Sequence, residues 1–440
     1  MKLGFLTTIL LTVSLTIASG QNKVRLLDSV LLVLSDKEMF HGQVLVSGNG
    51  SIEFAKAYGK TVENELFTLD TPIDIQSVAK LFTGLAVMIL KDEGKLSFND
   101  PIKKFFPALP YDGVTVRNLL NHSSGIPNLF AVAFEHWPHD KLITNDDLVM
   151  LATRYKPKPV FKPGEREEYN ETAYSILASI VEIAAHQKFE TFIREKILRP
   201  CGMKLTHHKV EEPNALKKIE PITIDNMLDL TLGAGGYLST ATELFRLDSV
   251  LSLGKLVAIP TLNEAYETSA LSNGKRGRYG LGCSILDATA GHRRVQNIGQ
   301  GPGTNAVFTR QVDSRGALIV LHSQSIVYAH PIYEVIEKIW KGEPFEMPLK
   351  RVIHKLSPQL LRQYVGDYGD NGFMHLTSED GRLFIQPDGN PSRMEIVPSS
   401  DTTFYFIDQA MDWQIYRNAQ QEVIGFGPRG QKRDMMKRNN

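Results

Sequence analysis

The chain has 440 residues, 42 % hydrophobic and 22 % charged, with 49 Lys plus Arg balancing 49 Asp plus Glu. This is ordinary globular composition, long enough for about two to four domains, and it excludes collagen-like, low-complexity and disordered classes. Zero net charge without a basic stripe offers no electrostatic grip on nucleic acid. Two cysteines, Cys201 and Cys283, are too few for a disulfide scaffold or a four-thiolate zinc site.

Residues 1–20 read as a secretory signal peptide. Lys2 supplies a positive start, Leu3 to Ile17 an apolar run, and Ala18-Ser19-Gly20 small residues for cleavage. A membrane anchor is the competing reading, but the run is short and carries Thr7, Thr8, Thr12, Ser14 and Thr16. No cysteine follows it to carry a bacterial lipid anchor. A secreted or periplasmic chain without stable membrane insertion is therefore expected, with Cys201 and Cys283 as free thiols or, alternatively, one bridge. The expected division is a signal peptide at 1–20, a first domain at 21–342, a linker at 343–356 and a second domain at 357–438.

Within the first domain, Gln43 to Ser47 and Ile52 to Ala57 alternate around Asn49-Gly50, a hairpin signal. Val78 to Leu90 predicts a helix, with Leu81, Phe82, Leu85 and Ile89 on one face and Gly94 past its end. Ala173 to Ala185 predicts a buried helix. Thr240 to Leu251 predicts another, opened by a capping box between Thr240 and Glu243. Strands are expected at Tyr279 to Ile285, Arg293 to Asn297, Ala306 to Arg310 and Ala317 to His322, then a helix from Ile332 to Trp340. The second domain reads as short strands starting near Phe373, Leu383, Met394, Thr403, Trp413 and Val423. Turns such as Asp380-Gly381 and Asp388-Gly389 separate them, the spacing of a small antiparallel barrel or sandwich. The basic tail from Gln431 to Asn440 is expected to fray. There is no internal repeat. His207-His208 and His136-x-x-His139 lack Asp, Glu or Cys at ligand spacing, so no metal site is expected. Asn49-Gly50-Ser51 and Asn170-Glu171-Thr172 fit the glycosylation pattern.

The chemistry-bearing motif is Ser77-Val78-Ala79-Lys80. Residues three apart on a helix share a face, so the lysine amine comes beside the serine oxygen, which needs a base to become a nucleophile. Alone the motif is weak. It recurs at Ser252 and Ser272 in glycine-containing stretches, and an N-cap serine followed by a surface lysine would look the same. Only the Ser77 copy starts an apolar helix.

The surrounding stretch, Thr71 to Ala86, resembles the nucleophile region of the serine β-lactamase and penicillin-binding-protein family. The nearest branch comprises class C β-lactamases, related esterases and D-amino-acid-directed peptidases. Further matches follow in order: Asp92-Glu93-Gly94-Lys95-Leu96 through Asp100-Pro101, Leu119 to Ile126, Pro163-Gly164 leading to Tyr169 and Tyr174, Gly235 to Thr240, and Gly299 with Pro302 and Gly303. The likeness spans about residues 25 to 342. It implies an α/β fold, an antiparallel sheet flanked by helices with a helical insertion around residues 100 to 235. It also implies Ser77 as the acylated nucleophile, Lys80 as its basic neighbour and Tyr169 as the proton relay. The backbone N–H groups of Ser77 and Gln300 would form the oxyanion hole. Residues 356 to 437 resemble a lipocalin-like small β-barrel. In relatives such a module can restrict the active-site mouth, and a stabilising appendage or interaction surface is the other reading.

Two family positions differ. Glu171 stands where Tyr-x-Asn has asparagine, and Asn297-Ile298-Gly299 replaces Lys-x-Gly or His-x-Gly. (Tyr416-Arg417-Asn418 matches Tyr-x-Asn only by chance, in the C-terminal strands.) A carboxylate near Lys80 would raise its pKa, leaving Tyr169 to act as base. Asn297 cannot attract a carboxylate by charge, so substrates relying on a free carboxylate, β-lactams among them, are expected to suffer most. Glu171, Asn297, Gly299 and Gln300 are the candidate substrate-binding residues. The expected function is an exported serine hydrolase forming an acyl-enzyme on Ser77 from small esters, amides or D-amino-acid peptides. Its partner is a small-molecule or peptide substrate, and no cofactor is implied. The alternatives are an impaired relative that binds peptide, cell-wall fragment or protein, and a structural assembly protein. The oligomeric state is open.

Overall fold

A hairpin opens the central sheet. Gly42–Gly48 pairs antiparallel with Ser51–Tyr58, with a register shift at Val46/Ser47. Both turn residues have positive φ, 52° at Asn49 and 77° at Gly50, the geometry that an Asn-Gly turn supplies. The computed structural model describes residues 22–211, 227–301, 303–325, 329–348, 353–369, 372–387, 393–406 and 412–439. The expected signal segment, Pro302, the Asp388-Gly389 turn and Ile407 lie outside these residues.

The sheet has six strands in the order Ser51–Tyr58, Gly42–Gly48, Gly316–Ser325, Gly303–Gln311, Arg294–Gly301 and Ser284–Asp287. The inner strands Gly42–Gly48 and Gly303–Gln311 are almost wholly buried, while the edge strand Ser51–Tyr58 is partly exposed. This is what a sheet covered on both faces requires. The helix Lys80–Asp92 is buried from Lys80 to Leu90, so its apolar residues run round the whole circumference, as a central helix demands. Gly94 follows at φ 71° and ends it. Among the described residues five α-helices, Val116–Leu120, Leu129–His136, Asn145–Tyr155, Glu171–Ala185 and Phe189–Ile193, lie within the expected insertion. A three-stranded sheet, Ile73–Asp74, Tyr237–Ser239 and His207–His208, lies beside the start of the central helix. Among the described residues no helix is long and apolar enough to cross a membrane.

Three expectations are corrected. The segment Tyr279 to Ile285 is not one strand: Tyr279 bridges back to Ser284, and the strand proper is Ser284–Asp287. Gly280 and Gly282 permit the reversal. A Cβ on Gly280 would sit 2.2 Å from the Ala265 carbonyl oxygen, and Gly282 (φ 93°) lies against Gly84 of the central helix. The capping box at Thr240 is half formed. The Thr240 hydroxyl accepts the Glu243 N–H, but the buried Glu243 carboxylate accepts from the N–H groups of Lys204 and Leu205 and from the Thr206 hydroxyl. Tertiary donors outcompete the local one because a buried carboxylate needs several.

The third correction concerns the chain end. The C-terminal strands form an eight-stranded antiparallel meander from Gly366–Tyr368 to Met436–Lys437. Its ends meet: Tyr368 bridges Arg438, the Gly369 N–H donates to Lys437 O (2.8 Å), and the Asn439 N–H to Asp367 O (2.8 Å). Residues 436–439 are thus built into the barrel rather than frayed, because the last strand removes the open edge of the first. Leu376, Leu383, Ile385, Ile396, Phe404, Ile415 and Phe426 fill its interior. Tyr416 belongs to the strand Asp412–Arg417 and donates its hydroxyl to Pro428 O. By contact density the chain divides into two units, one over residues up to 35 and 40–324, the other over 36–39 and 325–440.

Candidate active site

Ser77 stands on a 3-10 turn, Gln76–Ala79, that runs directly into the central helix. The preceding residue, Gln76, has φ 49°, a conformation that side-chain-bearing residues adopt only when their surroundings enforce it. Asp74 does so. Its buried carboxylate accepts the Gln76 N–H (2.8 Å) and side-chain amide (2.9 Å), and pairs with Lys209. The Gln76 amide also donates to Thr304 (2.9 Å), and the Ile75 N–H to Tyr237 O (3.0 Å). Gly299 packs from the sheet side. A Cβ there would lie 2.2 Å from Ile75 O and 3.0 Å from Ser77 N, so glycine alone lets the strand Arg294–Gly301 approach the turn this closely.

Two polar groups converge on the serine oxygen. Lys80 Nζ donates to Ser77 Oγ (2.9 Å) and to Ala234 O (2.7 Å), and the Tyr169 hydroxyl donates to Ser77 Oγ (2.8 Å). Glu171 Oε1 lies 3.8 Å from Lys80 Nζ. The lysine side chain is 3 % exposed and the glutamate 45 %, and this difference sets the electrostatics. Burial pushes the Lys80 amine down to about 8, and the upward pull of Glu171 does not offset it. The expectation that Glu171 raises Lys80 has the right sign for that pair, but desolvation is the larger effect. Tyr169 moves the opposite way. The residue is 45 % exposed, yet its hydroxyl is turned in to Ser77, and loss of water drives the phenol well above its ordinary range. The Ser77 hydrogen bond pulls it down only in part. Tyr169 is therefore a protonated phenol at neutral pH, and Lys80 is the group near enough to neutrality to take a proton.

The helix Glu171–Ala185 positions the carboxylate. Asn170 is its N-cap, accepting the Ala173 N–H (3.1 Å) and donating to Ile126 O (2.5 Å). The asparagine is thus spent on the helix start, and Glu171 becomes its first residue. Below Tyr169 lies His122, within the Leu119 to Ile126 stretch. It adopts φ 58°, accepts the Asn170 N–H on Nδ1 (3.1 Å), and packs 4.6, 5.1 and 4.7 Å from the rings of Tyr169, Tyr174 and Tyr279. Burial, with Lys80 and Arg278 nearby, lowers its imidazole to about 3, so it is a neutral aromatic brace for Tyr169. No spacing rule would have found it.

The remaining candidates lie on the strand Arg294–Gly301. Asn297 is buried and its side-chain amide donates to Gly282 O (2.8 Å), so its nitrogen pins the 280–283 reversal. Gln300 is exposed at the lip. Ser77, Glu171 and Gln300 each line two cavities, of about 550 and 540 Å³, which meet at the serine. Cys283 lines the second, but burial raises both its thiol and that of Cys201 to about 12, too high for a reactive thiolate. Both cysteines are free. Among the described residues no group of three His, Cys, Asp or Glu is placed to hold a metal.

Comparison with known proteins places this geometry. A penicillin-binding protein of Bacillus subtilis (strain 168) is 28 % identical over 418 residues, covering 88 % of this chain and 92 % of its own. The octameric penicillin-binding protein homologue from Pyrococcus abyssi shares the fold with a TM-score of 0.61 at 23 % identity, over 90 % of this chain and 96 % of that one. The D-amino acid amidase from Ochrobactrum anthropi SV3 does so with a TM-score of 0.57 at 19 % identity, over 73 % of this chain and 97 % of that one. The beta-lactamase family model matches residues 35–329, the span holding the serine, the lysine, the tyrosine and the strand that backs them; the chain belongs to the beta-lactamase family.

Proposed function

We propose that the protein is an exported serine hydrolase that forms an acyl-enzyme on Ser77 and releases it with water, acting on small esters, amides or D-amino-acid-containing peptides. The observation that carries this reading is the convergence of Lys80 Nζ and the Tyr169 hydroxyl on one oxygen. The proposed division of labour differs from the one expected for a charged lysine. Neutral Lys80 takes the Ser77 proton during attack. With a pKa of about 8, roughly a tenth of the amines are neutral at pH 7. Tyr169, held as a phenol, gives its proton to the leaving group and is reprotonated by Lys80, so the proton lost by Ser77 is the one the leaving group gains. The oxyanion is assigned to the backbone N–H groups of Ser77 and Gln300, where preorganised donors act most strongly. Export rests on residues 1–20, and the B. subtilis penicillin-binding protein, similar over 92 % of its length, supports an envelope setting.

The test is intact mass of the mature chain after reaction with an alkyl fluorophosphonate. One adduct per chain is expected. Absence of an adduct on folded protein overturns the reading in favour of a binder of peptide or cell-wall fragment.

The pH dependence of that labelling has a definite sign. The rate should rise through a limb near pH 8 as Lys80 loses its proton. Glu171 favours the protonated amine, so Glu171→Gln moves the limb to lower pH. At 3.8 Å, and with the carboxylate nearly half exposed, the coupling is about 1 kcal/mol. Labelling at pH 7 is then expected to quicken up to about fivefold. A limb moving upward in this variant would sink the assignment of Lys80 as base.

A further inference from the structure

The strand Arg294–Gly301 carries no cation at position 297, and Asn297 has turned its amide nitrogen to Gly282. A cation nevertheless lines the same cavity. Among the described residues, Arg278 is besides Lys80 the only cationic residue lining the 540 Å³ lobe, and Glu171 the only carboxylate. Lys80 is enclosed, with its amine already committed to Ser77, Ala234 and Glu171. Arg278 is exposed, and its guanidinium donates to the Tyr279 hydroxyl rather than to a carboxylate among the described residues. The nearby Glu167 carboxylate is spent on backbone, accepting the N–H groups of Arg278 (2.7 Å) and Tyr279 (3.2 Å).

Arg278 is also held in place. Its guanidinium lies 5.0 Å from the centre of the Tyr279 ring and donates to the Tyr279 hydroxyl (3.3 Å). Tyr279 packs on His122, and His122 on Tyr169. One run of rings in edge-on and tilted contact thus joins the cation to the group beside the reacting serine. The other lobe has the opposite character. Asp74, Glu171 and Asp229 line it against Lys209, which already pairs with Asp74. An anionic group entering the cleft is repelled from one lobe and drawn to the other.

We infer that Arg278 is a specificity-determining residue that receives a carboxylate of the substrate in the lobe formed with Tyr279 and Ser284, taking over from the bend before the 280–283 reversal the charge that position 297 lacks. This rests on the reading of Ser77 as the reactive group. It reverses the expectation that carboxylate-bearing substrates suffer most. A planar guanidinium suits a carboxylate by paired hydrogen bonds.

The experiment uses protection of the full mature chain from fluorophosphonate labelling. N-acetyl-D-alanyl-D-alanine and its C-terminal amide compete separately, and the readout is the ratio of their half-protecting concentrations, in which any general loss of reactivity cancels. The unsubstituted protein should favour the free carboxylate by about tenfold, the gap between charged and neutral hydrogen bonding. Arg278→Gln should bring the ratio near one, and Arg278→Lys should keep part of it. Equal protection by the two ligands, or none, in the unsubstituted chain overturns the inference. So does a preference that survives in Arg278→Gln. Failure of the unsubstituted chain to label at all is a separate result, which removes the Ser77 reading and this inference with it.

Discussion

Ser77→Ala is expected to abolish the fluorophosphonate adduct and to lower any ester or amide turnover by on the order of 10⁴-fold or more, the usual consequence of deleting a nucleophile. The geometry leaves no substitute. Lys80 Nζ and the Tyr169 hydroxyl meet only at Ser77 Oγ, and Cys283, which lines the same cleft, is held as a thiol. The fold should tolerate the change, because the turn is held by Asp74, Gln76 and Gly299 rather than by the serine hydroxyl. Intact mass together with a denaturation curve separates the two effects. An adduct that persists in Ser77→Ala would place the reactive serine elsewhere.

The second large effect has two opposed parts. Lys80→Met should reduce labelling and turnover about 10²–10⁴-fold, the range for loss of a general base. The same change should stabilise the protein. Lys80 has a folded-state pKa of about 8 against 10.5 in its ordinary state, so at pH 7 the chain holds a buried charge at a cost of about 3 kcal/mol. Losing the partners of Ala234 O and Glu171 offsets part of the gain, leaving about 1–2 kcal/mol. The sign of the pH dependence provides an internal control. A folded pKa below the unfolded one means that the native state releases its proton first. The parent should therefore gain stability as pH rises from about 8 to 10.5, and Lys80→Met should lack that rise. Urea denaturation at pH 7 and pH 10 measures both. A variant less stable than its parent at pH 7 would show that the lysine is a structural tie rather than a strained functional group.

Much of the fold was legible because its signals are local. Asn49-Gly50 makes its hairpin through backbone conformations written in two residues. The helices and most barrel strands follow from the period of their apolar positions. The failures share one cause. Gly366–Tyr368 and Met436–Lys437 are too short for a periodic signal and exist as strands because they close a barrel on each other. The reversal at 280–283 depends on what Gly280 and Gly282 touch, the Ala265 carbonyl and Gly84, both distant in sequence. Glu243 leaves its local cap for donors near residue 205.

The same division runs through the site. Ser77, Lys80 and Tyr169 could be named from sequence, since the first two lie one helical turn apart and all three belong to recognisable motifs. Their protonation could not. Whether Lys80 is base or fixed charge depends on the contest between Glu171 at 3.8 Å and near-complete burial, and burial is a property of the packed chain. His122 beneath Tyr169 and Arg278 beside the cleft likewise have no motif of their own. The sequence by itself determined the family, much of the order of the elements and the candidate nucleophile. The tertiary structure decided which neighbour is poised to take the proton and which cation lines the cleft beside it, because desolvation and long-range proximity exist only once the chain is folded.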